Sequence, residues 1–268
     1  MSRISPMFDA LREEGRAGFI PYITMGDPSL ERSSEILDAL VDSGADLIEL
    51  GVPFTDPMAD GPTLQAASQR ALKNPIRIEN ILDVVSRFRA RHQTPLVLFG
   101  YANPFLAYGW EKLAADSASA GIDGFLCVDM PPDEGAPLRD AARKHNLDVI
   151  YLLAPTSTSE RRRFVASHAS GFLYYVSVTG VTGARDKLRT DVHRHVEEIR
   201  RESTLPVAVG FGISSPEHVR EIAAFADGVV VGSAIVKVIE RIGDTPELAA
   251  RVAEFSRSLR AGIGKGKV

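Results

Sequence analysis

Short apolar runs recur along this chain, separated by longer amphipathic stretches, and this repetition is the feature that most constrains the fold. Several runs are introduced by a small residue with Gly or Asp, as in SGADLIELG, AGIDGFLCVDMP, ASGFLYYVS and FADGVVVGS. Strands rich in Val, Ile and Leu on both faces are typical of a parallel sheet covered by helices. The sequence predicts eight strands, near residues 18–24, 46–50, 95–99, 123–128, 148–152, 171–176, 206–209 and 227–231.

Helical patterns lie between these runs, for example at 28–43, 60–74, 110–120, 133–145 and 216–224. Eight such units predict an α/β fold, a closed (β/α)8 TIM barrel, with an extra N-terminal helix and a short phosphate-site helix after strand 8. An open doubly wound sheet is the alternative, but no GxGxxG fingerprint follows the first strand. No linker divides the 268 residues, so we expect a single domain over 1–268 rather than two domains.

Composition excludes several functional classes. The chain carries 31 Lys+Arg against 35 Asp+Glu, a net charge of −4, which offers no basic surface for nucleic acid. No apolar stretch reaches the length of a spanning helix and the first residues are too charged for a signal peptide, so we expect a cytoplasmic protein without a membrane role. The single cysteine, Cys127, leaves no intrachain disulfide and no thiolate cluster for a metal.

Chemistry in such a barrel belongs at the carboxyl ends of the strands, where the second strand carries an acidic residue. Alternation along this strand places Leu47 and Glu49 on one face, and both faces of a barrel strand are buried. A buried carboxyl must find a partner or hold its proton near neutral pH, so Glu49 is a candidate acid and base. The alternative is a structural glutamate neutralised by an arginine.

The following segment, GVPFTDPMADGP over residues 51–62, is long and polar for a connection between a strand and a helix. Asp60 lies just before a helical pattern, so it is either an N-cap or a group for catalysis or substrate binding. Asp56 lies between Thr55 and Pro57, where contact with solvent or a partner is the better interpretation.

Small residues follow each of the last three strands: SVTGVTGAR at 177–185, Gly210 to Gly212, and Gly232 with Ser233. Each could be an ordinary tight turn. Together they lie where barrels of this kind bind phosphate through backbone N–H groups and the N-terminus of a short helix.

Absences narrow the chemistry further. The lysines lie in helical or terminal segments apart from Lys187, so no strand ends in a Schiff-base nucleophile. The histidines lack HExxH spacing, and we expect no catalytic metal. Residues at strand ends could enclose a flat ring, although each could equally be core packing; they are Tyr22, Phe99, Tyr101, Leu126, Tyr174 and Phe211. These features favour C–C cleavage or isomerisation of a phosphorylated substrate.

The segments GFIPYITMGDP, ELGVPFTDPMADGP, SVTGVTGAR, VGFGIS and GVVVGSAIV resemble the tryptophan synthase alpha subunit family, and the resemblance extends from Phe19 to Ala261. It implies a lyase of tryptophan biosynthesis, assigned to the carbon–oxygen lyases by the complete synthase reaction. The partial reaction is the retro-aldol cleavage of indole-3-glycerol phosphate to indole and glyceraldehyde 3-phosphate. The resemblance also implies no cofactor in this chain and a pyridoxal-phosphate beta subunit as partner, in an αββα heterotetramer.

Matching positions then imply roles for single residues. Glu49 corresponds to the acid/base that protonates indole C3, and Asp60 to the carboxylate that holds the indole N–H. Substrate-binding positions are Tyr22, Phe99, Tyr101, Leu126, Tyr174, Thr182, Gly183, Phe211, Gly212, Gly232 and Ser233. The chain departs from well-known members where Val178 and Thr179 replace a segment with Arg, so contacts of this loop with substrate are expected to differ.

The resemblance also implies a surface for the beta subunit, formed by Pro53, Asp56, Pro57, Asn103, Pro104 and Phe105. Three alternatives stay open. One is a freestanding lyase that releases indole, another is a catalytically silent barrel that activates a beta chain, and the third is a sugar-phosphate isomerase. Retention of Glu49 and Asp60 argues against the silent barrel.

Overall fold

The structure is a computed structural model that describes residues 2–176, 185–210 and 212–264, with the backbone alone over 185–190. Eight parallel strands close into a barrel in which each strand pairs with its neighbours in sequence and β8 pairs with β1. The strands are β1 (Gly18–Thr24), β2 (Ile48–Gly51), β3 (Leu96–Gly100), β4 (Gly124–Cys127), β5 (Asp148–Leu153), β6 (Leu173–Val176), β7 (Val207–Gly210) and β8 (Gly228–Val231). The predicted (β/α)8 barrel is confirmed.

Helices surround the barrel, and several begin where the sequence supplies an N-cap. The side chains of Ser29, Thr158 and Ser215 each accept a backbone N–H from the first turn of the following helix. The helices are α1 (Ile4–Glu13), α2 (Leu30–Asp42), α3 (Pro62–Ala71), α4 (Ile78–Arg89), α5 (Ala102–Tyr108), α6 (Trp110–Ala120), α7 (Ala136–Lys144), α8 (Ser159–His168), α9 (Arg185–Glu202), α10 (Pro216–Ala223), α11 (Ser233–Ile242) and α12 (Leu248–Arg260).

The two predicted extra helices are both present. The N-terminal helix α1 places Ile4, Phe8 and Leu11 in the cluster that fills the barrel, and the Phe8 ring lies 5.6 Å from that of Phe172, just before β6. Since Phe172 precedes its strand, α1 closes the amino end of the barrel and leaves the carboxyl ends of the strands for a site. The other extra helix, α11, begins directly after β8.

Two hydrophobic layers follow the alternation along the strands. Leu47 packs inside the barrel with Ile20 and Val97, whereas Ile48 and Leu50 pack between the barrel and its helices. Glu49 shares its side of the sheet with Leu47 and therefore points inward, as the alternation predicts.

The repeated small-residue segments before the even-numbered strands share one contact. Each places an acidic or hydroxyl side chain where it accepts a backbone N–H from the start of the preceding strand, at 2.8–2.9 Å. The pairs are Asp46 with Phe19, Asp123 with Leu96, Ser170 with Val149, and Asp227 with Val207. The repeat that predicts the barrel therefore also ties its strands together in pairs.

Candidate active site

Glu49 is the second residue of β2 and carries a buried carboxyl group. Its side chain is 0% exposed, and neither carboxyl oxygen has a hydrogen-bond partner among the described residues. Its neighbours in register are Tyr22 on β1 and Val97 on β3. No arginine of the described chain neutralises it, so the interpretation as a structural ion pair does not hold there.

Burial sets the protonation state of Glu49. Removal from water disfavours the carboxylate and raises the pKa of Glu49 to about 8. The group therefore holds its proton at neutral pH and can both donate it and take one back.

Asp60 lies in the connection between β2 and α3 and is half buried. The cap of α3 is Gly61, without a side-chain hydrogen bond, so the alternative that Asp60 is an N-cap is wrong. The backbone N–H of Asp60 bonds to Pro57 and its carbonyl accepts from Gln65, which leaves the carboxylate for other contacts.

The pKa of Asp60 is also raised, but by less than that of Glu49. Burial raises it to about 6, while a hydrogen bond from the Tyr101 hydroxyl opposes the rise. Near neutral pH Asp60 is ionised and Glu49 is protonated, so the two carboxyl groups of the site have opposite states, as an acid working beside an electrostatic stabiliser requires.

Apolar side chains line the space beside these carboxyl groups. The rings of Tyr22 and Phe99 meet edge to face with centroids 5.1 Å apart, and Leu126 and Tyr174 pack with Phe99 inside the barrel. Burial raises the pKa of both Tyr22 and Tyr174, so their hydroxyls stay neutral. The structure brings these four predicted wall residues together.

Tyr101 contacts residues 54–60, which we call the Asp60 segment, in addition to lining the space beside the carboxyl groups. Its hydroxyl accepts the Ala59 N–H at 3.1 Å, and its ring lies 5.3 Å from that of Phe54. The same hydroxyl lowers the pKa of the neighbouring Asp60 carboxyl.

The N-terminus of α11 adjoins the same space. Gly232 is its N-cap, Ser233 its first residue, and a methyl group on Gly232 would stand 3.5 Å from the Tyr22 ring. First-turn N–H groups of a helix have no intrahelical partner and favour an anion. Gly212 has a φ of +41°, which favours glycine there. Thr182, Gly183 and Phe211, together with Val178 and Thr179, lie outside the described residues.

The expected partner surface needs a correction. Phe105 is 0% exposed and packs against Phe125 and over Gly100, and Pro53 is buried, so neither side chain is available to a partner. Asp56, Asn103 and part of Pro57 and Pro104 are accessible. Two large apolar side chains that the sequence reasoning missed stand out beside them, Met58 at 90% and Leu106 at 59% exposure.

Sequence reasoning also missed an ion pair beside the site. Arg70 near the end of α3 donates two hydrogen bonds to buried Asp27, after β1, and one to Glu240 on α11. It therefore ties together the helix that follows Asp60 and the helix that begins at Ser233. The only sequence signal is the acidic residue in GDP directly after strand one.

Neither a cluster of metal-ligand side chains nor a membrane-spanning helix occurs within the described chain. No group of three or more His, Cys, Asp or Glu within it is arranged to hold a metal ion. None of its helices combines the length and apolar character needed to span a membrane.

Comparison with known proteins identifies the family. The family model described as tryptophan synthase alpha chain matches residues 8–263. The chain is 52% identical to the tryptophan synthase alpha chain of Geobacter sulfurreducens over 264 residues, 98% of this chain and 100% of that one. A crystal structure of tryptophan synthase subunit alpha from Legionella pneumophila superposes with a TM-score of 0.91 at 38% identity, covering 98% of each chain. A chain of tryptophan synthase from M. tuberculosis gives 0.89 at 36% identity, covering 99% of this chain and 100% of that one. The chain belongs to the tryptophan synthase alpha chain family.

Proposed function

We propose that this alpha chain cleaves indole-3-glycerol phosphate with Glu49 as acid and base and Asp60 as the carboxylate that holds the indole N–H. The observation that carries the assignment is a buried carboxyl on β2, two residues before the strand's carboxyl end, without a hydrogen-bond partner in the described structure and protonated at neutral pH. The products are indole and glyceraldehyde 3-phosphate, and the reaction makes the chain a lyase of tryptophan biosynthesis.

The proton balance needs only one acid/base. Glu49 gives its proton to indole C3, and the ring becomes an iminium that can accept an electron pair. The C3–C bond to the glycerol chain then breaks, its electrons return to the ring, and the adjacent carbon becomes an aldehyde as its hydroxyl loses a proton to the Glu49 carboxylate. The glutamate ends as it began, and neither a lysine nor a metal takes part.

Asp60 acts through charge. At neutral pH it is ionised, so it accepts the indole N–H and stabilises the positive charge that develops on the ring. The half-buried position strengthens this interaction relative to water.

The remaining predicted residues either enclose the indole ring or bind the phosphate of the substrate. Tyr22, Phe99, Leu126 and Tyr174 provide an apolar enclosure for the indole, to which we add Tyr101 and Phe211. The phosphate is held by backbone N–H groups at the α11 N-terminus; the predicted set there is Thr182, Gly183, Gly212, Gly232 and Ser233. The Tyr22 ring lies between Gly51 of β2 and Gly232 at the start of α11, and this position supports placing the indole next to the phosphate.

The partner is a tryptophan synthase beta subunit. We infer an αββα heterotetramer in which pyridoxal phosphate belongs to the beta chain and this chain, a single domain of the cytoplasm, carries no cofactor. The docking surface comprises Asp56, Pro57, Met58, Asn103, Pro104 and Leu106. Two exposed apolar side chains with a polar surround support this assignment.

The test is an assay of the purified chain for indole release from indole-3-glycerol phosphate, with and without a beta subunit. We expect slow release by the chain alone, acceleration by the partner, and loss of activity in Glu49→Gln. Full activity alone with no effect of the partner would indicate a freestanding lyase. Near-normal turnover by Glu49→Gln would contradict the role of Glu49.

A further inference from the structure

We propose that Tyr101 is a positioning residue whose hydroxyl fixes the Asp60 segment, so that the Asp60 carboxylate faces the cavity. The inference rests on the proposed role of Asp60. It assigns to Tyr101 a function distinct from enclosing the substrate.

The geometry gives Tyr101 a fixed position. It directly follows β3, is the N-cap residue of α5, and is 3% exposed. A strand end and a helix start on either side restrict its backbone, so its ring can serve as a fixed support for a neighbouring segment.

The Asp60 segment contacts this support at both ends. The Phe54 ring packs on the Tyr101 ring, and the Ala59 N–H donates to the Tyr101 hydroxyl at 3.1 Å. The residues between these contacts are largely solvent exposed, so they have few contacts of their own to fix their conformation.

The Tyr101 hydroxyl is able to interact with Ala59 and Asp60 at the same time. A phenolic oxygen can accept one hydrogen bond while its own hydrogen is donated to another group. The oxygen accepts the Ala59 N–H at 3.1 Å, and the hydrogen can be donated to the adjacent Asp60 carboxylate, whose pKa the hydroxyl lowers. Since Ala59 and Asp60 are consecutive, one hydroxyl fixes both the backbone and the carboxylate.

The donated hydrogen bond also adjusts the charge of Asp60. It lowers the pKa of Asp60 while burial raises it. The ionisable groups that interact with Asp60 or Tyr101 are Tyr22 on β1, Asp129 after β4 and Tyr174 on β6, and Glu49 on β2 interacts with the two tyrosines. The tyrosines are neutral, Glu49 is protonated below about pH 8 and Asp129 is itself acidic, so of these described groups Tyr101 is the neighbour that favours the charged carboxylate of Asp60.

Tyr101→Phe tests the inference, since it keeps the ring and removes both hydrogen bonds. In the isolated chain we expect kcat for indole release to fall roughly tenfold, with a smaller change in KM. We expect the acid limb of the kcat/KM profile near pH 6 in the parent protein, and at higher pH in Tyr101→Phe because Asp60 loses the donor that favours its charge.

Tyr108→Phe is the matched control. Tyr108 is the last residue of α5, and its hydroxyl donates to Asp116 at 2.7 Å, so the same substitution removes a hydrogen bond to an aspartate away from Asp60. We expect a parent-like kcat and acid limb. Phe54→Leu removes the ring support but keeps the hydroxyl, and should lower kcat less than Tyr101→Phe without moving the acid limb.

The outcomes separate this inference from the proposed function. Parent-like kcat and acid limb in Tyr101→Phe, with an inactive Asp60→Asn, would overturn the positioning role alone. A rise in KM with kcat and the acid limb unchanged would also overturn it and leave Tyr101 with the enclosing role alone. Full activity of Asp60→Asn would instead refute the proposed role of Asp60.

Discussion

Tyr22 and Glu49 are register partners across β1 and β2, and the Tyr22 ring continues from this pair to the first turn of α11. The hydroxyl end of the Tyr22 ring lies beside Gly51, two residues after Glu49. The opposite end of the ring lies about 3.5 Å from where a methyl group on Gly232 would stand. The ring thereby lies between β2, which carries the proposed acid, and the start of α11, the proposed phosphate site.

Gly51 leaves room for the Tyr22 hydroxyl, and we predict that Gly51→Ala is disruptive. A methyl group at position 51 would overlap the Tyr22 hydroxyl and stand 2.6 Å from the ring carbon that bears it. Overpacking of this kind costs about 1–3 kcal/mol, and the displaced ring should lower kcat/KM about tenfold or more.

Gly61→Ala is the control for this change, because a methyl group there meets nothing within 4 Å and φ is −73°. Chemical denaturation and indole release measured on both variants check the prediction. Equal stability and activity of Gly51→Ala and the parent would show that the Tyr22 ring is free to move.

The exposed apolar side chains beside the Asp60 segment lead to a prediction about the partner. Leu106→Glu places a charge on the proposed docking surface, where desolvation without a counter-ion should weaken binding of a beta subunit by at least about tenfold. Isothermal titration calorimetry measures the affinity. Ser167→Glu, near the end of α8 at the opposite end of the barrel, should bind as the parent does, and an equal loss in both variants would contradict the location.

The side-chain contacts that join the strands in pairs should stabilise the fold more when the accepting side chain is charged than when it is neutral. Asp123 is 0% exposed and bonds to Arg3 and Arg89 as well as to the Leu96 N–H, whereas Ser170 makes the equivalent contact with a neutral hydroxyl. Asp123→Ala should lower the free energy of unfolding by about 3–5 kcal/mol and Ser170→Ala by about 1 kcal/mol. Urea denaturation of both variants measures the difference, and equal losses would contradict it.

The fold was predictable because the same physical pattern occurs eight times. Every predicted strand overlaps an observed one, with ends within about two residues, since burial on both faces makes each strand a continuous apolar run. The inward direction of Glu49 followed from alternation alone.

Features that depend on the path of a connection were not predictable. A sequence places Asp60 before a helix but does not decide between Asp60 and Gly61 as the cap, which depends on the backbone direction after Pro57. The contact of Tyr101 with Ala59 joins segments after different strands, and spacing along the chain carries no signal for it. Phe105 was misassigned because the short helix α5 turns it inward and Leu106 outward.

The stability of the protein should depend on pH through Glu49. The folded state binds this proton up to about pH 8, whereas an unfolded chain binds it only up to about pH 4.5. The contribution of Glu49 to the free energy of unfolding is therefore full at low pH and is lost as the pH rises from about 4.5 to about 8. The shift corresponds to on the order of 5 kcal/mol.

Glu49→Gln cannot ionise, so its melting temperature should match the parent near pH 5 and exceed it near pH 9, by on the order of 5–10 °C. Differential scanning calorimetry of the two proteins across this range removes the contributions of all other groups. A constant difference would show that Glu49 does not ionise within the window.

The central claim is that Glu49 holds a proton at neutral pH inside the barrel, and infrared difference spectroscopy of the parent minus Glu49→Gln measures this directly. We expect a protonated carboxyl C=O band near pH 6 that disappears with a midpoint at about pH 8. A Glu49 that is already ionised near pH 6, with a midpoint close to the ordinary value of 4.5, would contradict it.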